Sequence, residues 1–310
     1  MARSVVLRAP AKANLHLGIY PGRDERGYHR ADSIMVALSV ADEVRVSELD
    51  NADDGDAAAD DLLPRLTLSE DVGVPASRNT AWVAARCLCE AFGRSPRYAV
   101  RLTKRIPPRS GLGGSSSDAA GTILGLCRLW GMSPAQAAGD ARVVRVARSV
   151  GADVPFFLRP DPTLLVGRGD VPARSFPSLA GVPVVLLRPP CGVRTPEAYR
   201  AYDEEPSTPQ DPGPLEEALE RGDVVRVATS LHNNLAPAAE RLVPACGEAL
   251  SWLRGQRGVM GAQLTGSGSC AFAIVDGTPA ARRIVRAARV WRPGWWAISC
   301  ETVGSGTQFC

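Results

Sequence analysis

Lysine is almost missing from this 310-residue chain: Lys12 and Lys104 are its only two, and arginine supplies the rest of its 36 basic residues. That scarcity excludes a Walker A loop, whose lysine directly follows its last glycine. It also leaves no VAIK-like strand, and no HRD or DFG set is present, which excludes a protein kinase. Histidine is nearly as scarce, at three residues, and the eight cysteines form no C-x-x-C pair, so zinc-site spacing is absent. Several cysteines fall inside apolar periodic segments and read as small buried hydrophobes in a reducing compartment. The strongest apolar run, Val182 to Leu187, is far too short to span a bilayer. The opening MARSVVLRAP has no signal-peptide-like apolar stretch. A net charge of +3 is too small to argue for nucleic acid. These absences set the expectation of a cytoplasmic chain with no nucleic acid and no membrane among its partners.

The most telling segment that is present runs KRIPPRSGLGGSSSDAAG, residues 104–121. An alternating stretch precedes it, with Tyr98, Val100, Leu102 and Ile106 apolar, which is the period of a half-buried strand. A helical stripe follows, made of Ala119, Ala120, Ile123, Leu124, Cys127 and Trp130, with Gly131 as its stop. Gly111, Gly113 and Gly114 allow close backbone approach, and Ser115, Ser116 and Ser117 offer caps and hydroxyls. Free N–H groups at a helix N-terminus make an anion site, here most plausibly for phosphate. The dinucleotide fingerprint fails, because the strand alternates and Ser116 stands where the third glycine belongs.

Elsewhere the pattern predicts strands at 5–7, 13–19, 33–38 and 43–49, then an acidic loop at 50–61 holding six aspartates. A helix is expected over 80–92, capped by Asn79, and a single helix over 134–150 ending at Gly151. A Pro/Gly-rich passage at 159–183 contains a strand at 163–166. The second half predicts strands near 182–187, 261–266 and 270–276, helices over 215–254, an Arg-rich surface helix at 280–291, and a final WWAISCETV segment. Mixed strands and helices without strict βαβ order favour α+β.

Three further segments carry chemistry. In APAKANLHLGIY, strand alternation places Lys12, Asn14 and His16 on one face, suited to a cleft wall or to an exposed strand face. A compact ammonium can tuck against an oxyanion where a guanidinium cannot. In SVGADVPFFL, Asp153 follows a helix stop and precedes an apolar segment read as strand. It is placed either as a catalytic carboxylate or as a turn acid. The third, TGSGS at 265–269, is either a tight hairpin or a backbone lining beside the first loop.

PAKANL, GLGGSSSDAA and LTGSGS, in that order, resemble the three motifs of the GHMP kinases. GYH at 27–29, GADVPFFL, CGVRTPEAYRAYD and LHNNLAPAA are similar to the branch of that family acting on a diphosphocytidyl methylerythritol. The resemblance runs from about residue 5 to 303. It implies a two-domain α+β fold: a ribosomal-protein-like α/β domain at 1–170 and a ferredoxin-like domain at 171–310, with the site in the cleft between. It implies ATP-dependent phosphorylation of the 2-hydroxyl in non-mevalonate isoprenoid synthesis, by a monomer or weak homodimer. Matched by position, Asp153 is the general base, with Lys12 orienting it and stabilising phosphoryl charge. Asn79, Lys104, Pro108, Gly111, Leu112, Gly113, Gly114, Ser115, Ser116 and Ser117 fall on the ATP side, with Mg2+ bridging phosphates and Ser117 its hydroxyl ligand. Asn14, Tyr28, His29, Tyr199, Gly266 and Ser267 fall on the substrate side, Tyr28 stacking on the cytosine and His29 hydrogen-bonding it. Arg109, Ser110 and Ser115 stand where the family often has glycine. Another GHMP small-molecule kinase, of mevalonate or homoserine type, and a non-catalytic GHMP-fold sensor are the alternatives.

Overall fold

Two long strands frame the site. In the computed structural model, which describes residues 3–49 and 64–304, β1 (Ser4–Ile19) and β2 (Ala31–Glu48) pair antiparallel from Ser4 opposite Ser47 to Ile19 opposite Ala31. The sequence suggested two shorter strands in place of each. The ladder instead continues through a register shift at Pro10/Ala11, so no turn is needed. The acidic stretch at 50–61 lies outside the described residues.

β4 (Tyr98–Thr103) joins β2 antiparallel, and β3 (Arg65–Leu68) runs parallel to β4. β5 (Thr163–Val166) pairs with β2 and forms a hairpin with β6 (Val171–Ser175). That hairpin straddles residue 170, where a boundary was expected, so β6 stays with the first half. In the second half, β11 (Trp296–Val303), β7 (Pro183–Arg188), β10 (Ala271–Val275) and β9 (Val259–Leu264) lie side by side. β8 (His232–Asn233) runs parallel to β1. The last residues of β11 also pair with β2, Thr302 opposite Leu38 and Val303 opposite Ala37. One sheet path therefore crosses both halves.

Helices α1 (Thr80–Ala91), α2 (Gly114–Leu129), α3 (Pro134–Gly139), α4 (Ala141–Val150) and α5 (Val154–Leu158) belong to the first half. The expected single helix over 134–150 is broken because Asp140 accepts from the Arg142 N–H and caps a new helix there. VPFFL, read as strand, is the short helix α5, with Asp153 at its N-cap in a helical conformation. The predicted stripe of α2 is buried against the sheet. A Cβ at Gly125 would lie 2.7 Å from Val46 Cγ2, so the helix sits closer to β2 than a side chain there allows.

In the second half, α6 (Thr195–Glu204), α9 (Ala236–Leu242), α10 (Pro244–Arg254) and α11 (Thr278–Trp291) cover one face of the sheet, and α7 (Gly213–Glu220) and α8 (Val224–Thr229) pack with the residues of its other face. α11 turns Ile284 and Ala288 inward, as its apolar stripe predicted. A third apolar layer joins the halves, setting Ala11, Ala13 and Leu15 of β1 against Val184, Leu186 and Phe272. The seven described cysteines are all free thiols. Among the described residues, no helix is long and apolar enough to cross a membrane.

The alternation expected of Lys12, Asn14 and His16 is broken by a register shift between Asn14 and His16. The bulge carries Leu17 onto the cleft wall and leaves His16 2% exposed, its ring 5.2 Å from that of His232. Burial, then the neighbouring His232, pushes the His16 pKa down to about 4 from 6.5. The folded pKa is depressed, so the stabilising effect is complete above pH 6.5. It is lost as pH falls toward 4, because the unfolded chain takes up a proton that the folded one refuses. Between pH 7.5 and 5 this single group should remove about 2 kcal/mol of unfolding free energy. Urea unfolding of wild type and His16→Gln at both pH values checks this: the variant should lose less stability on acidification, and equal losses would refute it.

Candidate active site

A cavity of about 500 Å³ opens where the phosphate loop, β1 and the loop before β10 meet. The size suits a small-molecule site. Two helix N-termini face it, those of α1 and α2, and they are tied together by the Thr80 hydroxyl donating to the Ser115 carbonyl oxygen at 2.7 Å. α2 starts at Gly114 with Gly113 as its N-cap in the left-handed region (φ +74), and no serine side chain caps it. The expected serine cap is therefore absent, and the first-turn N–H groups remain for a ligand. Glycine is required at two points of this loop. A Cβ at Gly111 would fall 2.0 Å from the Thr265 carbonyl oxygen, and one at Gly113 would fall 2.9 Å from both Lys12 Cγ and Phe157 Cζ.

The loop is stitched to the other two motifs. The Lys12 N–H donates to the Leu112 carbonyl oxygen (2.9 Å), and the Cys270 N–H donates to that of Ser110 (3.0 Å). Asn14 is the hub. Its Oδ1 accepts from Lys12 Nζ (2.5 Å) and from the Gly266 N–H (2.8 Å), with Thr265 Oγ1 at 3.1 Å, while its Nδ2 donates to Ser33 Oγ (2.8 Å). TGSGS is thus a backbone lining beside the first loop, the second of its two sequence readings.

Lys12 is 3% exposed, and its Nζ lies 3.6 Å from Asp153 Oδ2, a carboxylate that is half-buried at the cavity. Burial drives the Lys12 pKa down, and Asp153 opposes that. Lys104 is held between two carboxylates, Asp42 and Asp118, the latter at 2.5 Å. Asp42 also accepts the backbone N–H groups of Arg105 and Ile106 (2.5 and 2.8 Å). Burial raises the Asp118 pKa to about 7 despite the neighbouring ammonium, and its Oδ1 has no partner. This buried triad was not read from the sequence. The signal available was the second of only two lysines, next to the loop.

Of the residues expected on the nucleotide side, Asn79, Lys104, Pro108, Gly111, Gly113, Gly114, Ser115 and Ser116 line the cavity. Leu112 and Ser117 do not; both are buried, at 0% and 1% exposure. Leu112 points into the apolar layer between the halves, and its carbonyl anchors β1. Asn79 caps α1, accepting from the Ala81 N–H. Of the expected substrate-side residues, Asn14, Tyr199, Gly266 and Ser267 line the cavity and Tyr28 and His29 do not. His29 stacks on Tyr199 (centroids 5.6 Å), and its Nδ1 donates to the Tyr20 carbonyl oxygen at 3.0 Å. Its Nε2 is buried and lies 2.9 Å from Asp203 Oδ1. Tyr28 is 51% exposed, with the Arg168 guanidinium 4.6 Å from its ring centroid.

An α+β fold with a glycine-lined helix N-terminus facing a lysine–carboxylate pair defines a small-molecule kinase of the GHMP type. The chain belongs to the GHMP kinase family: the GHMP kinases N terminal domain is matched at residues 79–160 and the GHMP kinases C terminal domain at residues 215–291. Several relatives that match over most of this chain share one name. A 4-diphosphocytidyl-2-C-methyl-D-erythritol kinase of Paramagnetospirillum magneticum is 33% identical over 96% of this chain and 98% of its own. Another, of Granulibacter bethesdensis, is 36% identical over 88% and 86%. A crystal structure of 4-(cytidine 5'-diphospho)-2C-methyl-D-erythritol kinase superposes with a TM-score of 0.73 at 33% identity, covering 98% of this chain and 100% of that one. A homoserine kinase from Cytophaga hutchinsonii gives the same TM-score at 19% identity, over 97% and 95%, which shows the shared fold alone.

Replacing Lys104 by Ala should cost about 3–5 kcal/mol, because it leaves two buried carboxylates facing each other. Lowering the pH to 6 should return part of that loss, since one carboxylate can then be protonated. Urea midpoints of variant and wild type at pH 8 and 6 check both effects; a pH-independent difference would refute the ion-triad account.

Proposed function

We propose that this chain transfers the terminal phosphoryl group of ATP to the 2-hydroxyl of 4-(cytidine 5'-diphospho)-2-C-methyl-D-erythritol. The observation that carries the reading is the Lys12–Asp153 pair, 3.6 Å apart, on the cavity that α2 faces with its N-terminus. The substrate is supported by relatives of that name that match nearly end to end. Family membership itself implies ATP as donor.

Each residue then has a physical task. The first-turn N–H groups of α2 and the backbone of Gly111–Gly114 cradle the nucleotide phosphates. Asp153 accepts the proton of the acceptor hydroxyl as its oxygen bonds to phosphorus and the bond to ADP breaks. Lys12 stabilises charge on the transferring group from a site that excludes water, where such charge counts most. Asn14 positions Lys12 through its Oδ1 and lies on the cavity wall beside the acceptor. Tyr199 walls the acceptor side, with His29 stacked behind it.

Mg2+ is proposed as the companion ion of the nucleotide. Among the described residues no cluster of three acidic, histidine or cysteine side chains could hold a metal. Ser117, expected as its hydroxyl ligand, has a buried and unpartnered Oγ but lies off the cavity wall, so it does not fit that role and no step is routed through the ion.

Purified protein given ATP with the diphosphocytidyl substrate, mevalonate or homoserine should phosphorylate the first. Turnover of only one of the others would reject the substrate assignment, and turnover of none would favour a non-catalytic member of the fold. Asp153→Asn should lower kcat by a factor on the order of 10² or more while ADP still binds within a few-fold of wild type. Near-normal turnover would remove Asp153 from the proton-accepting role.

A further inference from the structure

Five cationic side chains line the cavity: Lys12, Arg78, Lys104, Arg109 and Arg168. Three are paired, Lys12 with Asp153, Lys104 with Asp42 and Asp118, and Arg168 with Asp170 at 3.1 Å. Arg78 and Arg109 have no carboxylate partner among the described residues. Arg78 sits on the turn at 76–78 that precedes α1. Arg109 belongs to the phosphate loop itself and differs from every other described residue in one respect: it is the one non-glycine with positive φ, at +53.

A residue with a Cβ in that region carries a backbone cost that glycine would avoid. The structure also makes room for its stem. A Cβ at Gly192 would lie 2.6 Å from Arg109 Cβ and 3.5 Å from its Cδ, so the absence of a side chain at Gly192 leaves the path along which the arginine runs. No hydrogen bond, ion pair or ring contact occupies the guanidinium among the described residues. A strained backbone, a fitted groove and an unspent planar cation meet at the mouth of a loop that otherwise offers phosphate only backbone amides and hydroxyls.

We propose that Arg109 is a phosphate-binding residue that clamps a phosphate oxyanion in the cleft with its two-pronged donor geometry. The proposal rests on the kinase reading above and deepens it. Both lysines beside the loop are already held by carboxylates, so Arg109 is the loop's own source of uncompensated charge. The oxyanion belongs either to the nucleotide or to the diphosphate of the acceptor, since Gly192 leads into the segment carrying Val193, Thr195 and Tyr199 on the opposite wall.

The test uses the whole chain with Arg109→Gly and Arg109→Lys. Calorimetric titration with ADP and, separately, with CDP reads the binding directly and does not depend on turnover. Arg109→Gly should weaken one of the two by about tenfold to a hundredfold, with Arg109→Lys intermediate. Loss confined to ADP, with a raised KM for ATP, assigns the nucleotide phosphates. Loss confined to CDP, with a raised KM for the diphosphocytidyl substrate, assigns the acceptor diphosphate. The Tm of Arg109→Gly should be unchanged or higher, because the positive φ no longer carries a side chain. Unchanged affinity for both probes would overturn the proposal, as would an affinity loss that merely follows a lowered Tm. If wild type fails to phosphorylate the diphosphocytidyl substrate, the substrate reading fails, while the ADP and CDP titrations still decide the role of Arg109.

Discussion

An ammonium 3% exposed to solvent needs compensation on every side, and at Lys12 that compensation organises the site. Its Nζ donates to Asn14 Oδ1 and faces Asp153, and its own backbone N–H reaches the loop through Leu112. Asn14 Oδ1 also takes the Gly266 N–H. The three sequence motifs thus converge on two neighbouring side chains of β1, and displacing any one of them would unbalance a buried charge. Burial lowers the lysine's proton affinity, and Asp153 opposes that shift from across the cleft.

The same crowding explains why lysine survives here in a chain that otherwise uses arginine. Gly113 and Gly266 leave their hypothetical Cβ positions 2.9 and 3.2 Å from Lys12 Cγ and Nζ. A planar guanidinium needs more room than that pocket has, and its geometry cannot place one compact charge between Asn14 and Asp153. Lys104 obeys the same rule, as a point donor between Asp42 and Asp118 on opposite sides. Arginine appears in the cleft where there is space, at Arg78, Arg109 and Arg168.

Much of this was legible in the sequence because local rules decide it. The Gly/Ser loop, the α2 stripe and the Asn79 cap depend on residues a few positions apart. What was misread depends on partners far away. The bulge after Asn14 arises from register with β2, so His16 left the face that alternation assigned it. VPFFL is apolar enough for strand or helix, and only its packing against α2 and α4 selects helix. Ser117 was placed as a ligand by its position in the family motif, yet α2 lies so close to the sheet that this residue of its first turn is 1% exposed. The Asp42–Lys104–Asp118 triad joins residues 62 and 14 positions apart and has no local signature.

Substrate choice cannot reside in the fold, since a homoserine kinase and a 4-(cytidine 5'-diphospho)-2C-methyl-D-erythritol kinase superpose on this chain with the same TM-score of 0.73. It must lie in side chains that the shared backbone leaves free to vary. Behind Tyr199 on the cavity wall, His29 stacks on the Tyr199 ring, Tyr202 lies edge-on to His29, and Arg23 and His29 are both drawn to Asp203. The His29 ring is fixed on one side by the Tyr20 carbonyl oxygen, which accepts from Nδ1, and its Nε2 lies 2.9 Å from Asp203 Oδ1.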